Sequence, residues 1–264
     1  MQGAGNDFIV IDAVAINLKK LAVRACDRKT GIGADGLLVL GKSKKADYKM
    51  RIINADGSEA EMCGNGARCM AAYVARIKKS KKKTFTMETL AGIVTACVAG
   101  QSIEVRLSDP KNYRPNITVE VNTWPVRVDY IDTGVPHAVV FVDNLKAMAV
   151  DAIGRVIRYH KKFSPRGTNV NFVEQIGRDY IAIRTYERGI EAETRACGTG
   201  SVAAAIAAYR KAHPSVHDAK RATMKVLTAS GEILYISFCL NNAIVSDVRL
   251  KGGATVIAKG EYYV

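Results

Sequence analysis

The chain has 264 residues, 48% of them hydrophobic, long enough to bury a sizeable core in one large or two ordinary domains. No apolar run approaches the roughly 18–20 residues of a membrane helix and the N-terminus lacks the charged-then-apolar form of a signal peptide, so a soluble, cytoplasmic protein without a membrane partner is expected. The net charge of +14 would suit a nucleic acid, but much of it lies in runs such as Lys78-Lys79-Ser80-Lys81-Lys82-Lys83, which lack interleaved aromatics and read as solvated surface, so no nucleic-acid partner is expected.

In chain order, Phe8 to Asp12 reads as a strand entered from the glycine turn Gly3-Ala4-Gly5. Leu18, Leu21, Ala22 and Ala25 follow helical spacing, with Asn17 as N-cap. Gly31-Ile32-Gly33-Ala34-Asp35-Gly36 lacks the strand-then-helix setting of a dinucleotide fingerprint, because the strand-like Leu37 to Leu40 follows it. A strand over Tyr48 to Ile53 runs into the turn Asn54-Ala55-Asp56-Gly57-Ser58, and a helix is expected from about Asn65 to Lys78. Strands follow at Phe85–Met87, Ile93–Val98 and Ile103–Leu107, the last two as a hairpin.

Asp109 to Pro125 holds three of the six prolines and reads as the crossing between two halves. Beyond it come strands at Val126–Ile131 and Ala138–Val142, a helix near Asp151–Tyr159, strands at Asn169–Glu174 and Tyr180–Tyr186, and a helix to about Lys211. Thr223–Leu227, Ile233–Phe238, Ala243–Leu250 and Ala254–Tyr262 read as antiparallel strands, with Gly252-Gly253 as a break before the last returns to the first half.

One motif occurs twice: Cys63-Gly64-Asn65-Gly66 and Cys197-Gly198-Thr199-Gly200, each opening an alanine-rich helix and spaced by about half the chain. Val202 to Tyr209 is apolar on every side, so such a helix should be enclosed by a strongly curved sheet, one per half. The glycines allow close backbone approach to a ligand, and the helix N-terminus offers free N–H groups suited to a carboxylate. The same field favours thiolate over thiol. Two such thiols on opposite faces of one carbon could remove a proton from one side and deliver one from the other, inverting a stereocentre. The plainer alternative is a pair of small residues capping core helices. Cys26, Cys69, Cys97 and Cys239 lack flanking glycines and read as packing. With no Cys-x-x-Cys pair and four scattered histidines, no metal site is expected.

Seven blocks in order carry a resemblance to the diaminopimelate epimerases: Gly3-Ala4-Gly5-Asn6-Asp7-Phe8, Asn54-Ala55-Asp56-Gly57-Ser58, Met62-Cys63-Gly64-Asn65-Gly66-Ala67-Arg68, Gly134-Val135-Pro136-His137, Gly167-Thr168-Asn169-Val170-Asn171-Phe172, Tyr186-Glu187-Arg188-Gly189 and Ala196-Cys197-Gly198-Thr199-Gly200. The resemblance implies an α+β fold of two pseudo-symmetric domains, each a curved, mostly antiparallel sheet around a central helix. The halves would be residues 1–108 with 252–264, and 109–251. It implies cofactor-independent interconversion of LL- and meso-diaminopimelate and a cytoplasmic homodimer. Cys63 and Cys197 would be the acid/base pair, with His137 and Glu187 tuning their protonation. Asn6, Asn54, Asn169, Glu187 and Arg188 would bind substrate, and Gly64, Asn65, Gly198 and Thr199 would give backbone N–H groups to the carboxylate at the reacting centre. Members often carry asparagine where this chain has Val135 and glutamine where it has Gly36, and they usually begin a few residues earlier. Proline-type racemases resemble it less: they place histidine where Asn65 stands, and phenazine-pathway isomerases lack the cysteine pair.

Overall fold

The computed structural model describes residues 1–242 and 244–263; residue 243, the first of an expected strand, and residue 264 lie outside them. The chain divides into two compact units, Met1–Leu107 with Lys251–Val264, and Ser108–Leu250.

The first unit runs β1 (Gln2–Gly3), β2 (Asn6–Asp12), α1 (Leu18–Cys26), β3 (Gly36–Gly41), β4 (Tyr48–Asn54), β5 (Glu59–Ala60), α2 (Gly64–Ala72), β6 (Thr84–Thr89), β7 (Gly92–Ala99) and β8 (Ser102–Arg106). Asn17 caps α1 as expected, its side chain accepting from Lys20 N at 3.1 Å, and Leu21, Ala22 and Ala25 are buried beneath the helix. β2 lies parallel to β3 and β4 parallel to β6; the other pairings are antiparallel. The strands wrap α2, all nine of whose residues are buried. Small side chains permit this. A Cβ on Gly3 would come within 3.3 Å of the Asn65 carbonyl oxygen and 3.2 Å of Cys69 Sγ.

The second unit runs β9 (Lys111–Val121), β10 (Trp124–Asp132), β11 (Pro136–Phe141), α3 (Val150–Arg158), β12 (Asn169–Gly177), β13 (Tyr180–Glu187), β14 (Ala192–Thr194), α4 (Gly198–Ala212), β15 (Ala219–Leu227), β16 (Ile233–Asn241) and β17 (Ile244–Gly253), whose end passes into the first unit. It repeats the pairing scheme of the first. β11 is parallel to β12 and β13 to β15, whereas β12 with β13, β13 with β14 and β15 with β16 are antiparallel. The strands enclose α4, buried from Gly200 through Ala208. Each unit is therefore a mostly antiparallel, curved sheet around one helix, the expected fold class.

Three local expectations are corrected. The proline-rich stretch is not a loose crossing but the eleven-residue β9, paired to β10. Pro115 falls where the register is irregular, beside Asn116, which adopts φ 57° and donates its N–H to Asp129 at 2.9 Å, so the missing proline donor breaks no ladder. The helix at Asn65–Lys78 is α-helical only to Ala72 and continues as a π turn over Tyr73–Ile77. There Arg76 donates to the carbonyls of Ala254 (2.7 Å) and Gly100 (3.0 Å), tertiary contacts that helical periodicity does not reveal. Ala254–Tyr262 forms no strand. Gly252 and Gly253 instead complete β17, and Thr255 makes an isolated bridge to Gln2.

Candidate active site

In the first unit Cys63 is the N-cap of α2, in extended conformation (φ −142°, ψ 116°), and its Sγ accepts from Gly66 N at 3.4 Å. A Cβ on Gly66 would meet Leu38 Cδ2 at 3.1 Å and would stand in ordinary contact, 3.5 Å, with Cys63 Cβ. Asn65 is 1% exposed and donates Nδ2 to Asn6 Oδ1 at 2.6 Å; Asn6 in turn donates to Asp35 at 2.9 Å. Arg28 fixes that carboxylate, reaching Asp35 at 2.8 Å and Asp7 at 2.7 Å. Asn54, exposed at the end of β4, donates to Ser58 Oγ at 2.9 Å rather than to another candidate. Gly64 opens the helix, and the backbone N–H groups of the first turn point towards its N-terminus.

In the second unit Cys197 is the N-cap of α4 (φ −119°, ψ 112°) and lies 3.5 Å from Thr199 Oγ1 through its Sγ. Thr199 Oγ1 is 3.0 Å from His137 Nε2, and His137 Nδ1 is 3.1 Å from Asn171 Nδ2. Complete burial, with the Arg188 charge nearby, pushes the His137 pKa down to about 3. Asn169 spans two elements, donating to the Pro136 carbonyl (3.0 Å) and accepting from Arg188 N (2.8 Å). Glu187 accepts from Thr194 Oγ1 at 2.9 Å, and the Arg188 guanidinium donates to the Arg166 carbonyl at 3.2 Å. Gly198 begins the helix, and Thr133 Oγ1 donates to the Thr199 carbonyl at 3.2 Å.

The repeat reaches individual side chains. Arg51 grips Glu59 with Nε and Nη2, both at 2.8 Å; Arg184 grips Glu193 the same way at 2.7 and 2.6 Å. Register makes Phe8 opposite Gly36 the counterpart of His137 opposite Asn169. Asn6 then corresponds to Val135 and Gly36 to Asn169. Each of the two departures from the family pattern thus falls opposite a retained asparagine in the other copy. At Gly36 a Cβ would lie 2.9 Å from the Ile53 carbonyl oxygen, so this strand crossing is set for glycine.

Sequence reading did not single out Asp35, Asn171, Thr133 or Thr185. For Asn171 there was a signal: a polar residue among Val170, Phe172 and Val173 in a strand buried on both faces.

The diaminopimelate epimerase family model matches residues 1–111 and 130–249. The diaminopimelate epimerase of Aquifex aeolicus is 42% identical over 98% of this chain and 95% of its own length, and that of Chlorobaculum tepidum 40% over 98% of each. Among solved structures, a phenazine biosynthesis protein of Bacillus anthracis superposes with a TM-score of 0.75 at 18% identity, covering 96% of this chain and 92% of that one. A hydroxyproline epimerase from Agrobacterium vitis gives 0.70 at 14%, covering 96% and 87%. Those two share the fold, whereas the identities near 40% over the full length settle the family: the chain belongs to the diaminopimelate epimerases.

Proposed function

We propose that this protein interconverts LL- and meso-diaminopimelate by moving a proton between two thiols, one on each face of the reacting Cα. The observation that carries the reading is the duplicated cap: Cys63 and Cys197 each precede Gly-x-Gly at the N-terminus of a buried helix, in a chain of this family. The two structural units would act as half-site domains, residues 1–108 with 252–264 and residues 109–251, each contributing one thiol.

A thiolate at one helix N-terminus takes the Cα proton while the thiol at the other supplies its replacement. Backbone N–H groups of Gly64, Asn65, Gly198 and Thr199 would hold the adjacent carboxylate and stabilise charge as it builds in the transition state. Asn6, Asn54, Asn169, Glu187 and Arg188 would bind the distal ammonium and carboxylate, with His137 and Glu187 tuning the thiols. A homodimer in the cytoplasm, acting in lysine biosynthesis, completes the reading. No described helix is long and apolar enough to cross a membrane.

Incubation with single stereoisomers of diaminopimelate, proline, hydroxyproline and glutamate in deuterated water tests the substrate. Deuterium should enter Cα of diaminopimelate and of no other amino acid. Exchange confined to proline or hydroxyproline would overturn the assignment.

A further inference from the structure

We propose that the Thr199 hydroxyl is held as a hydrogen-bond donor to Cys197 Sγ by a relay running from Asn171 through His137, which makes Asn171 and His137 positioning residues for the Cys197 thiolate. The inference rests on the reading of Cys197 as a proton carrier.

The direction of the relay follows from its far end. Asn171 Nδ2 lies 3.3 Å from the Ala138 carbonyl, which can only accept, so this end of the amide is the donor, and Oδ1 receives the Thr185 hydroxyl at 3.1 Å. The same Nδ2 meets His137 Nδ1 at 3.1 Å, and that nitrogen must therefore present its lone pair. A neutral imidazole with a bare Nδ1 carries its proton on Nε2, here 3.0 Å from Thr199 Oγ1. That N–H occupies one hydroxyl lone pair. The single hydroxyl proton is left to turn to Cys197 Sγ at 3.5 Å, where a donor favours thiolate. Protonating His137 would set N–H against N–H at Asn171, and its burial already opposes the charge, so the polarity persists across the working pH range.

Charged groups stand around the relay rather than in it. At the ends of the strands packed on α4, Asp132 accepts from Gly134 N (3.0 Å), Glu187 accepts from Thr194, and Arg188 donates to Arg166; Arg195 precedes Cys197 and is exposed. The duplicated motif supplies an internal comparison. At the positions matching His137, Asn171 and Thr199, the first unit has Phe8, Leu38 and Asn65, and Asn65 turns its amide to Asn6. A Cβ on Gly66 would meet Leu38 where one on Gly200 would meet Asn171, which confirms the correspondence. The polar relay thus belongs to the half that carries Cys197.

The test is the pH profile of Cys197 alkylation by iodoacetamide, read by peptide mass mapping of the full chain without substrate. Thr199→Val should raise the apparent Cys197 pKa by about one unit, a roughly tenfold slower reaction below it, whereas Thr199→Ser should keep the wild-type profile. Asn171→Leu, copying the residue at position 38, should shift it in the same direction. Imidazole 15N spectra of the wild-type protein should show His137 with Nδ1 bare and Nε2 protonated from pH 6 to 9. An unchanged profile in Thr199→Val, or a proton on Nδ1, overturns the relay. Because neither readout uses diaminopimelate, failure of the relay is distinguishable from failure of the substrate assignment.

Discussion

Replacing Gly200 by alanine tests the packing at the N-terminus of α4. The new Cβ would sit 2.3 Å from Asn171 Oδ1, against an amide anchored by Thr185, Ala138 and His137. Ordinary contact requires about 1 Å of separation to be made up, in an interior packed at crystal density. Overpacking of this kind costs about 1–3 kcal/mol, and displacing Asn171 weakens hydrogen bonds worth about 1 kcal/mol each. Exchanging glycine for alanine within a helix offsets about 1 kcal/mol of that. The net is a loss of about 2–3 kcal/mol, or about 4–12 °C in Tm at 2–4 °C per kcal/mol. Gly66→Ala is the internal control. Its Cβ would press on the far end of the Leu38 side chain, Cδ2 at 3.1 Å, and would otherwise stand in ordinary contact with Cys63, so a small shift of that methyl should leave Tm within about 2 °C of wild type. Thermal unfolding followed by circular dichroism compares the two. If Gly200→Ala melts no lower than Gly66→Ala, the argument from Asn171 is refuted.

The duplicated Arg–Glu pairs should differ in weight. Arg184 also donates to the carbonyls of Leu145 and Met148, both at 3.0 Å, so Arg184→Lys should lower stability by about 2 kcal/mol, read as a urea-midpoint shift at constant m. Arg51, with Glu59 as its grip and a side chain 37% exposed, should lose about 1 kcal/mol or less as lysine; equal losses would contradict the difference. His137 should give stability a pH slope. It stays neutral in the fold down to about pH 3 while the unfolded chain takes up its proton near pH 6.5, so its contribution is complete above pH 6.5 and falls as pH drops. The His137 contribution should fall by about 1.4 kcal/mol in all between about pH 7.5 and 5.5, and this loss should be missing in His137→Gln; urea unfolding at the two pH values measures it, and equal losses in the two proteins would rule out a neutral His137.

What could be read from the residues alone was what local chemistry fixes. Asn17 and the spacing of Leu21, Ala22 and Ala25 specify α1, and the repeated Cys-Gly-x-Gly marks both core helices. β9 was hidden because proline argues against a strand unless a bulge excuses its missing N–H, and a bulge depends on the partner strand. β5 and β14, of two and three residues, are too short for a period to show, yet they carry the glutamates that Arg51 and Arg184 hold. Asp35, Asn171 and Thr133 act on candidates distant in sequence, through bonds that exist only once strands are in register.

Isotope exchange in the two cysteine variants tests the two-thiol account most directly. With LL-diaminopimelate in deuterated water, the wild-type protein should release meso product carrying deuterium at the inverted Cα, and both Cys63→Ala and Cys197→Ala should form none. Epimerisation at the wild-type rate by either variant would contradict the account.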